Sequence, residues 1–364
     1  VKITKSLIAK AVIVSVSSGL MLSLLLLWGV GARNVFETFL HASVWLILSY
    51  VAVSITVAVG VTYKWHIVLD AYDVHMPFMT LFIFRLIGFA VSYVTPTAHV
   101  GGEPVRALLV HRHGIPLKVS FSAVLVDKIL EIMFNIGIFF IGALIIINTN
   151  SFPLMARATI FVLSLILVMV ASVFAYNIVK RKKVFVPLLQ RLGFAKLKNW
   201  PKMKESANEF ELLIEHFYAN RKRHFQHSMI VNAVLWALMF IEYKFALLIL
   251  GYNASPFGIF LFLTGVGIAY SIPIPAGLGV LELGQISAGK LLGLGGAIGV
   301  ALAFLVRIRD IIWTITGLIL LGVFHLDLFK LYTKSQEAGK KYSMEHLHLE
   351  LSSLYKGLSH ELKR

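Results

Sequence analysis

The 364-residue sequence contains no cysteine. Disulfides, thiolate metal sites and cysteine nucleophiles are thereby excluded. Charge is scarce as well: 14% of residues are Asp, Glu, Lys or Arg, against about 25% in a soluble globular domain. Acid is scarcer still, with 18 Asp and Glu against 34 Lys and Arg, a formal charge of +16. Apolar residues are abundant, at 58%. A disordered chain is poor in them, and a nucleic-acid binder this basic would not be this apolar. What remains is a polytopic membrane protein, with its positive charge expected on one side of the bilayer. At about 20 residues per crossing, such a length forms one integral domain.

Apolar runs occupy 7–30, 39–63, 77–95, 119–147, 153–179 and 228–250, followed by 256–324, which Pro, Gly and a few charges interrupt. The first follows Lys2, Lys5 and Lys10 and is longer than a signal-peptide core, so it reads as an uncleaved helix. A basic loop at 180–226 differs from everything else. From Lys180 to Arg223 it holds twelve Lys and Arg against four Glu. The positive-inside rule places it in the cytoplasm. Within it, residues 207–219 read as an amphipathic interfacial helix with Phe210, Leu213, Ile214 and Phe217 on one face. The basic residues would also gather anionic headgroups.

Orientation follows from that loop. The run 153–179 enters the cytoplasm, 119–147 leaves it, and the segment 101–118 lies inside. The chain is also inside near Lys64, so 77–95 starts and must finish on the cytoplasmic side. It therefore reads as the first arm of a re-entrant hairpin, with 96–102 at the tip and 104–110 returning. Irregular backbone at that depth requires burial in protein or a wet cavity.

At an offset of 177, Leu86, Gly88, Tyr93, Pro96 and Gly102 fall on Leu263, Gly265, Tyr270, Pro273 and Gly279. Gly and Pro are structural punctuators, so their coincidence carries weight. Three full helices between the copies would give them opposite orientation, the pattern of an inverted repeat. A strict inverted copy is expected to leave the C-terminus outside, and a full span at 256–272 to leave it inside.

Arg85, Asp127, Lys128, Glu131, Glu282, Lys290 and Arg307 lie within or beside apolar runs. A charge at the bilayer centre costs at least about 2.5–3.5 kcal/mol on insertion scales, so such residues pair or face a cavity. A network tying helices together and a headgroup pathway both fit. In Gly101-Gly102-Glu103-Pro104-x-Arg106 the glycines permit close backbone approach. A helix starting at Pro104 would present N–H donors to a phosphate beside Arg106, and Glu103 would take an ammonium group or pair with Arg106. The histidine pairs at 111/113, 224/227 and 346/348 lie in loops or the tail without further ligands, so no metal is assigned. Gly295 and Gly299 read as a helix-packing motif. No nucleotide loop or nucleophile motif occurs.

Pro96-x4-Gly101-Gly102-Glu103-Pro104-x-Arg106, Asp127-Lys128, Pro273-x-Pro275-x-Gly277-x-Gly279-x2-Glu282 and Arg307 together resemble the flippase-like transmembrane region of lysylphosphatidylglycerol synthases. The resemblance covers about 5–325. The family often carries Arg-Leu at Lys128-Ile129, and Gly where this chain has Ala276. The resemblance implies movement of phospholipids or lipid-linked headgroups between leaflets. It leaves no room for the soluble aminoacyl-transferring domain of the synthases.

The expectation is an all-α integral membrane protein of about eight transmembrane segments, with re-entrant hairpins and an inverted-topology repeat. Its membrane domain spans 1–325 and a short soluble tail 326–364. The substrate-binding residues are Arg85, Gly101, Gly102, Glu103, Arg106, Asp127, Lys128, Glu131, Glu282 and Arg307. Partners are phospholipids or glycolipids in a prokaryotic cytoplasmic membrane, and a second copy or a lipid-modifying enzyme. No nucleic acid, cofactor or catalytic residue is expected. The alternative is a membrane-embedded transferase, or an accessory subunit of one, acting on lipid at the cytoplasmic face.

Overall fold

A computed structural model describes residues 42–323, apart from 149–152, 181, 192 and 197–199, together with residues 21 and 25. Apart from residues 21 and 25, the apolar run 7–30 lies outside this description, as does the tail 326–364. Every regular element among the described residues is helical. In chain order these are α1 (Val44–Asp70), α2 (Phe78–Val94), α3 (Glu103–His111), α4 (Leu117–Ile147), α5 (Leu154–Val179), α6 (Phe185–Arg191), α7 (Trp200–Asn220), α8 (Lys222–Ile249), α9 (Pro256–Ser271), α10 (Val280–Leu291) and α11 (Gly296–Val323). Short 3-10 turns occupy Phe194–Lys196 and Pro275–Gly277.

Four described helices are long and apolar enough to cross a membrane: α1, α4, α5 and α8. Helix α11 has 28 residues, a spanning length, and carries Arg307, Arg309 and Asp310 in its middle. Helices α2 and α9 are apolar but only 17 and 16 residues long, short of the roughly 20 that a crossing takes. Many large side chains on α1 and α5, such as Trp45, Leu48, Leu163 and Val170, are exposed. On a membrane protein these are the surfaces offered to lipid.

The offset of 177 extends further than the matching residues. Shifted by 177, the ends of α1, α2, α3 and α4 fall within three residues of the ends of α8, α9, α10 and α11. One frame of four helices therefore occurs twice, with α5, α6 and α7 between the copies. The copies pack on each other, α1 along α8 and α2 along α11.

Within each copy, glycines bring the short helices together. A Cβ added at Gly102 would lie 1.8 Å from the Gly88 carbonyl oxygen, so α2 and the start of α3 touch backbone to backbone. In the second copy Gly265 of α9 meets Gly284 of α10, where an added Cβ would stand 3.0–3.1 Å from the facing backbone. A Cβ added at Gly299 would lie 2.3 Å from the Gln285 carbonyl oxygen, so Gly299 packs α11 against α10, whereas one at Gly295, which precedes α11, would meet nothing within 4 Å.

Helix α7 corrects one expectation. Its apolar face is spent on the protein. Ile214 and Phe217 are buried in one cluster with Trp65, Leu69, Val105 and Val124. Phe210 packs on Phe121 and Phe217 stacks on Tyr72, whose hydroxyl donates to the Leu213 carbonyl at 3.0 Å. Lys118 pairs with Glu209, and Arg221 with Asp73 at 2.7 Å. Amphipathic periodicity requires an apolar surface opposite the helix, and here the bundle supplies it.

Candidate functional site

Asp127 on α4 is the centre of the first site and is fully buried. Three helices aim cations at it. Lys64 of α1 lies 3.2 Å from Oδ1, Arg106 of α3 donates to Oδ2 at 3.0 Å, and Arg85 of α2 stands 3.6 Å from Oδ2. Glu131, one turn along α4, takes Lys128 at 2.8 Å and Lys64 at 3.6 Å. Glu103 accepts from Arg106 at 2.5 Å. Arg106 also lies over the Trp65 ring, 4.0 Å from its centroid, a contact that a planar guanidinium is suited to make. Gly88 makes room for its stem, since a Cβ there would meet the Arg106 Cγ at 2.7 Å.

Four cations thus face three carboxylates, an excess of one positive charge. The buried members are locked. Arg85, Lys128, Glu131 and Glu103 remain 21, 20, 28 and 12% exposed. Among the described residues Arg85 makes no hydrogen bond, and its one ion pair is the long contact to Asp127. Such a guanidinium keeps its planar fork of donors for another acceptor.

The turn before α3 departs from the expected phosphate cradle. Gly101 N–H donates to Thr97 Oγ1 and Gly102 N–H to Ser92 Oγ, both at 2.8 Å, and Glu103 N–H donates to the Val100 carbonyl at 3.0 Å. Gly101 and Gly102 therefore close the hairpin, and their donors are spent within it. Pro104 lies in the first turn, as expected.

Glu282 and Arg307 form the second site, far from Asp127 in sequence. Arg307 grips Glu282 with Nε at 2.5 Å and Nη2 at 2.9 Å. Its remaining donors go to the Ala276 carbonyl at 2.9 Å, the Tyr93 hydroxyl at 3.3 Å and the Gly277 carbonyl at 3.5 Å. All five guanidinium N–H groups are occupied. Glu282 also accepts from the Gly279 N–H at 3.0 Å, which fixes the start of α10. Arg307 thereby ties α11 to the 275–279 turn. That turn needs the tie, because Ala276, Gly277 and Gly279 all have positive φ. Lys290 is exposed at the end of α10 and belongs to neither site.

The two copies join at these turns. Tyr93 of α2 reaches Arg307 of α11. His99, in the loop before α3, stacks on Tyr270 of α9 with 4.1 Å between centroids and meets Tyr93 edge-on. Tyr93 and Tyr270 are themselves equivalent at the offset of 177.

Sequence reasoning missed Lys64, which looked like the polar end of a helix, and Trp65 beneath Arg106. A signal for Lys64 was present. Asp127 and Glu131 share one face of α4, and two membrane carboxylates on one face call for cations from neighbouring helices.

Residues 7–318 match the family described as the lysylphosphatidylglycerol synthase TM region. The UPF0104 membrane protein PH1989 of Pyrococcus horikoshii is 23% identical over 307 residues, covering 80% of this chain and 90% of that protein. The UPF0104 membrane protein MJ1595 of Methanocaldococcus jannaschii is 23% identical over 168 residues, covering 45% of this chain and 48% of that one. The match spans both copies of the four-helix frame and both charged sites, and the chain belongs to the lysylphosphatidylglycerol synthase transmembrane-region family.

Proposed function

We propose that this protein moves phospholipids or lipid-linked headgroups between the leaflets of a prokaryotic cytoplasmic membrane, without changing them chemically. The observation that carries this reading is the Asp127 cluster. It buries an excess positive charge beside a short-helix hairpin and leaves Arg85 and Lys128 partly exposed. An anionic phosphodiester is the ligand that such a site favours. Arg85 and Lys128 receive the headgroup, and Glu103 and Glu131 take an amine where the lipid has one. Asp127, Arg106 and Lys64 hold the frame. Glu282 and Arg307 act as a brace for the second turn, with no donor left to offer a lipid.

In this reading α2–α3 and α9–α10 are re-entrant hairpins entering from opposite sides, and the repeat is inverted. Interrupted helices at matching positions of two repeats mark the substrate path in many transporters. The helix boundaries also change the expected side of the C-terminus. With α10 and α11 separate, α8 leaves the cytoplasm, the second hairpin returns to the outer side, and α11 crosses back. A strict inverted copy then ends α11 in the cytoplasm, and the hairpins count as no crossings. That leaves six full crossings, including the run 7–30.

The test is a leaflet-accessibility assay on the full chain in proteoliposomes with labelled phosphatidylglycerol. A hydrogen bond to a charged group is worth about 1.5–3 kcal/mol, so Arg85→Ala is expected to slow translocation by about tenfold or more. Parent-like rates in both Arg85→Ala and Lys128→Ala would sink the headgroup assignment. Covalent change in the recovered lipid would favour a transferase instead.

A further inference from the structure

The Asp127 and Glu282 sites lie inside the two four-helix copies. So does the contact between α8 and α11 where Glu242 and Asp310 share Arg309, at 3.0 and 2.9 Å. A further group of cations lies outside both copies, at the end of α5. The backbone sets it there. Lys180 N–H donates to the Tyr176 carbonyl at 2.9 Å, and Lys182 N–H donates back to the Asn177 carbonyl at 2.8 Å. A bond of the second kind reverses the chain at a helix end. Lys180 and Lys182 are thereby brought to one ring, each Nζ standing 5.9 Å from the Tyr176 centroid.

Tyr176 is 56% exposed. Deeper along α5, Val162, Ile166, Met169 and Val173 are exposed as well, at alternating spacings of four and three residues. That spacing keeps them on one face of the helix with Tyr176 and Lys180. From Val162 to Tyr176 the stripe runs about 21 Å along the axis, longer than the roughly 15 Å that one leaflet contributes to the hydrocarbon core. Helix α5 is long and apolar enough to cross the membrane, so Tyr176 and the lysines sit at its surface, where tyrosine rings lie level with headgroups.

A cavity of about 160 Å³ opens beside the same lysine. Lys182, Lys183, Glu211 and Glu215 line it, together with Asn208, whose Oδ1 is buried without a hydrogen-bond partner. Glu211 also accepts the Val184 N–H. With Lys180, three ammonium groups meet two carboxylates, an excess of one positive charge. Among the described residues, none of the three ammonium groups donates a hydrogen bond or forms an ion pair. Each keeps three N–H donors for a ligand. Lysines that snorkel to the surface end many membrane helices. Two that converge on one exposed ring, beside a cavity and above an apolar stripe, mark a single place on the perimeter.

We propose that the end of α5 holds one anionic phospholipid as a resident ligand. Lys180 and Lys182 hold its phosphate, an acyl chain lies along the stripe, and the polar end of the headgroup enters the cavity, where Asn208 Oδ1 accepts a hydroxyl. The site is separate from Arg85 and Lys128 and requires no lipid movement.

The absence of cysteine allows a local test, because Val173→Cys gives the full chain a unique place for a fluorophore. Brominated phosphatidylglycerol or brominated phosphatidylcholine, added to proteoliposomes of unlabelled phosphatidylcholine, quenches the label when it lies against the stripe. Each lysine near the surface is worth about fivefold in binding an anionic lipid. Phosphatidylglycerol is therefore expected to outcompete phosphatidylcholine by about tenfold or more. Adding Lys180→Gln and Lys182→Gln should bring the two lipids close to parity. A label at Ile55→Cys, on the exposed face of α1, should show near parity throughout. Parity at Val173→Cys with both lysines present overturns the site. So does a preference that survives the two lysine changes, or one equally strong at Ile55→Cys, which is the general attraction of a basic chain. A preference abolished by inorganic phosphate would assign the cations to a soluble anion and overturn the lipid.

Discussion

The two copies of the four-helix frame are alike in helix lengths and opposite in the net charge of their buried side-chain clusters. In the first, a lysine on α1 faces two carboxylates on α4. In the second, a glutamate on α8 faces an arginine on α11. The first cluster carries one positive charge too many and, among the described residues, leaves Arg85 without a hydrogen bond. The second carries one negative charge too many and saturates Arg307. The contrast shows that segment lengths and glycines conserve the frame, while the chemistry of the two sites is set separately by a few side chains.

The largest test of this contrast removes one member of a saturated pair. Arg307→Ala takes the guanidinium from the buried Glu282 carboxylate; breaking a buried ion pair costs about 3–5 kcal/mol, so a pronounced loss of thermal stability in detergent is expected. Arg85→Ala, by contrast, removes a long contact at a partly exposed residue, and the unfolding temperature should stay close to the parent's. Equal stability losses would erase the distinction between brace and headgroup site.

The glycine contacts allow a second comparison. Gly102→Ala puts a methyl group 1.8 Å from a backbone oxygen, where nothing flexible can yield. Gly284→Ala meets its neighbour at 3.0 Å. Overpacking costs typically about 1–3 kcal/mol. Gly102→Ala should reach or exceed the top of that range and Gly284→Ala fall near the bottom, as read by chemical unfolding. The reverse order would mean that the second hairpin is the tighter one.

The smallest effect is expected at Ala276, a non-glycine residue with φ of 54°. The left-handed region costs such a residue roughly 1–2 kcal/mol relative to glycine. Part of this is offset by the extra freedom of the unfolded chain. Ala276→Gly should therefore raise stability slightly, by about 1 kcal/mol or less. A clear loss would show that the Ala276 methyl packs where it matters.

Much of the frame was legible in the sequence. Apolar runs located the long helices, and Gly88, Tyr93, Pro96 and Gly102 announced the repeat because their roles depend on backbone geometry. The participation of α1 and α8 in the repeat was not legible, since the two share length and position but little side-chain pattern. The ion pairs were half legible. Asp127 and Glu131 share a helix face by spacing, yet their partners Lys64, Arg85 and Arg106 come from three other helices. The contact of Tyr93 with Arg307 joins residues 214 apart, and no local rule reaches that far. The docking of α7 was misread for a similar reason, because an apolar stripe does not say whether lipid or protein will cover it.

The seam between α1 and α8 has an evolutionary consequence. Were the frame assembled from two identical half-length chains, each would bring the same residue to the same place. A lysine on one side of the seam would then be matched by a lysine on the other. Here position 64 holds Lys, and the neighbourhood of its shifted counterpart holds Glu242. Joining both copies in one polypeptide releases them from that identity. It allows a single membrane protein to keep a cationic cluster and an acidic one in facing halves of the same frame.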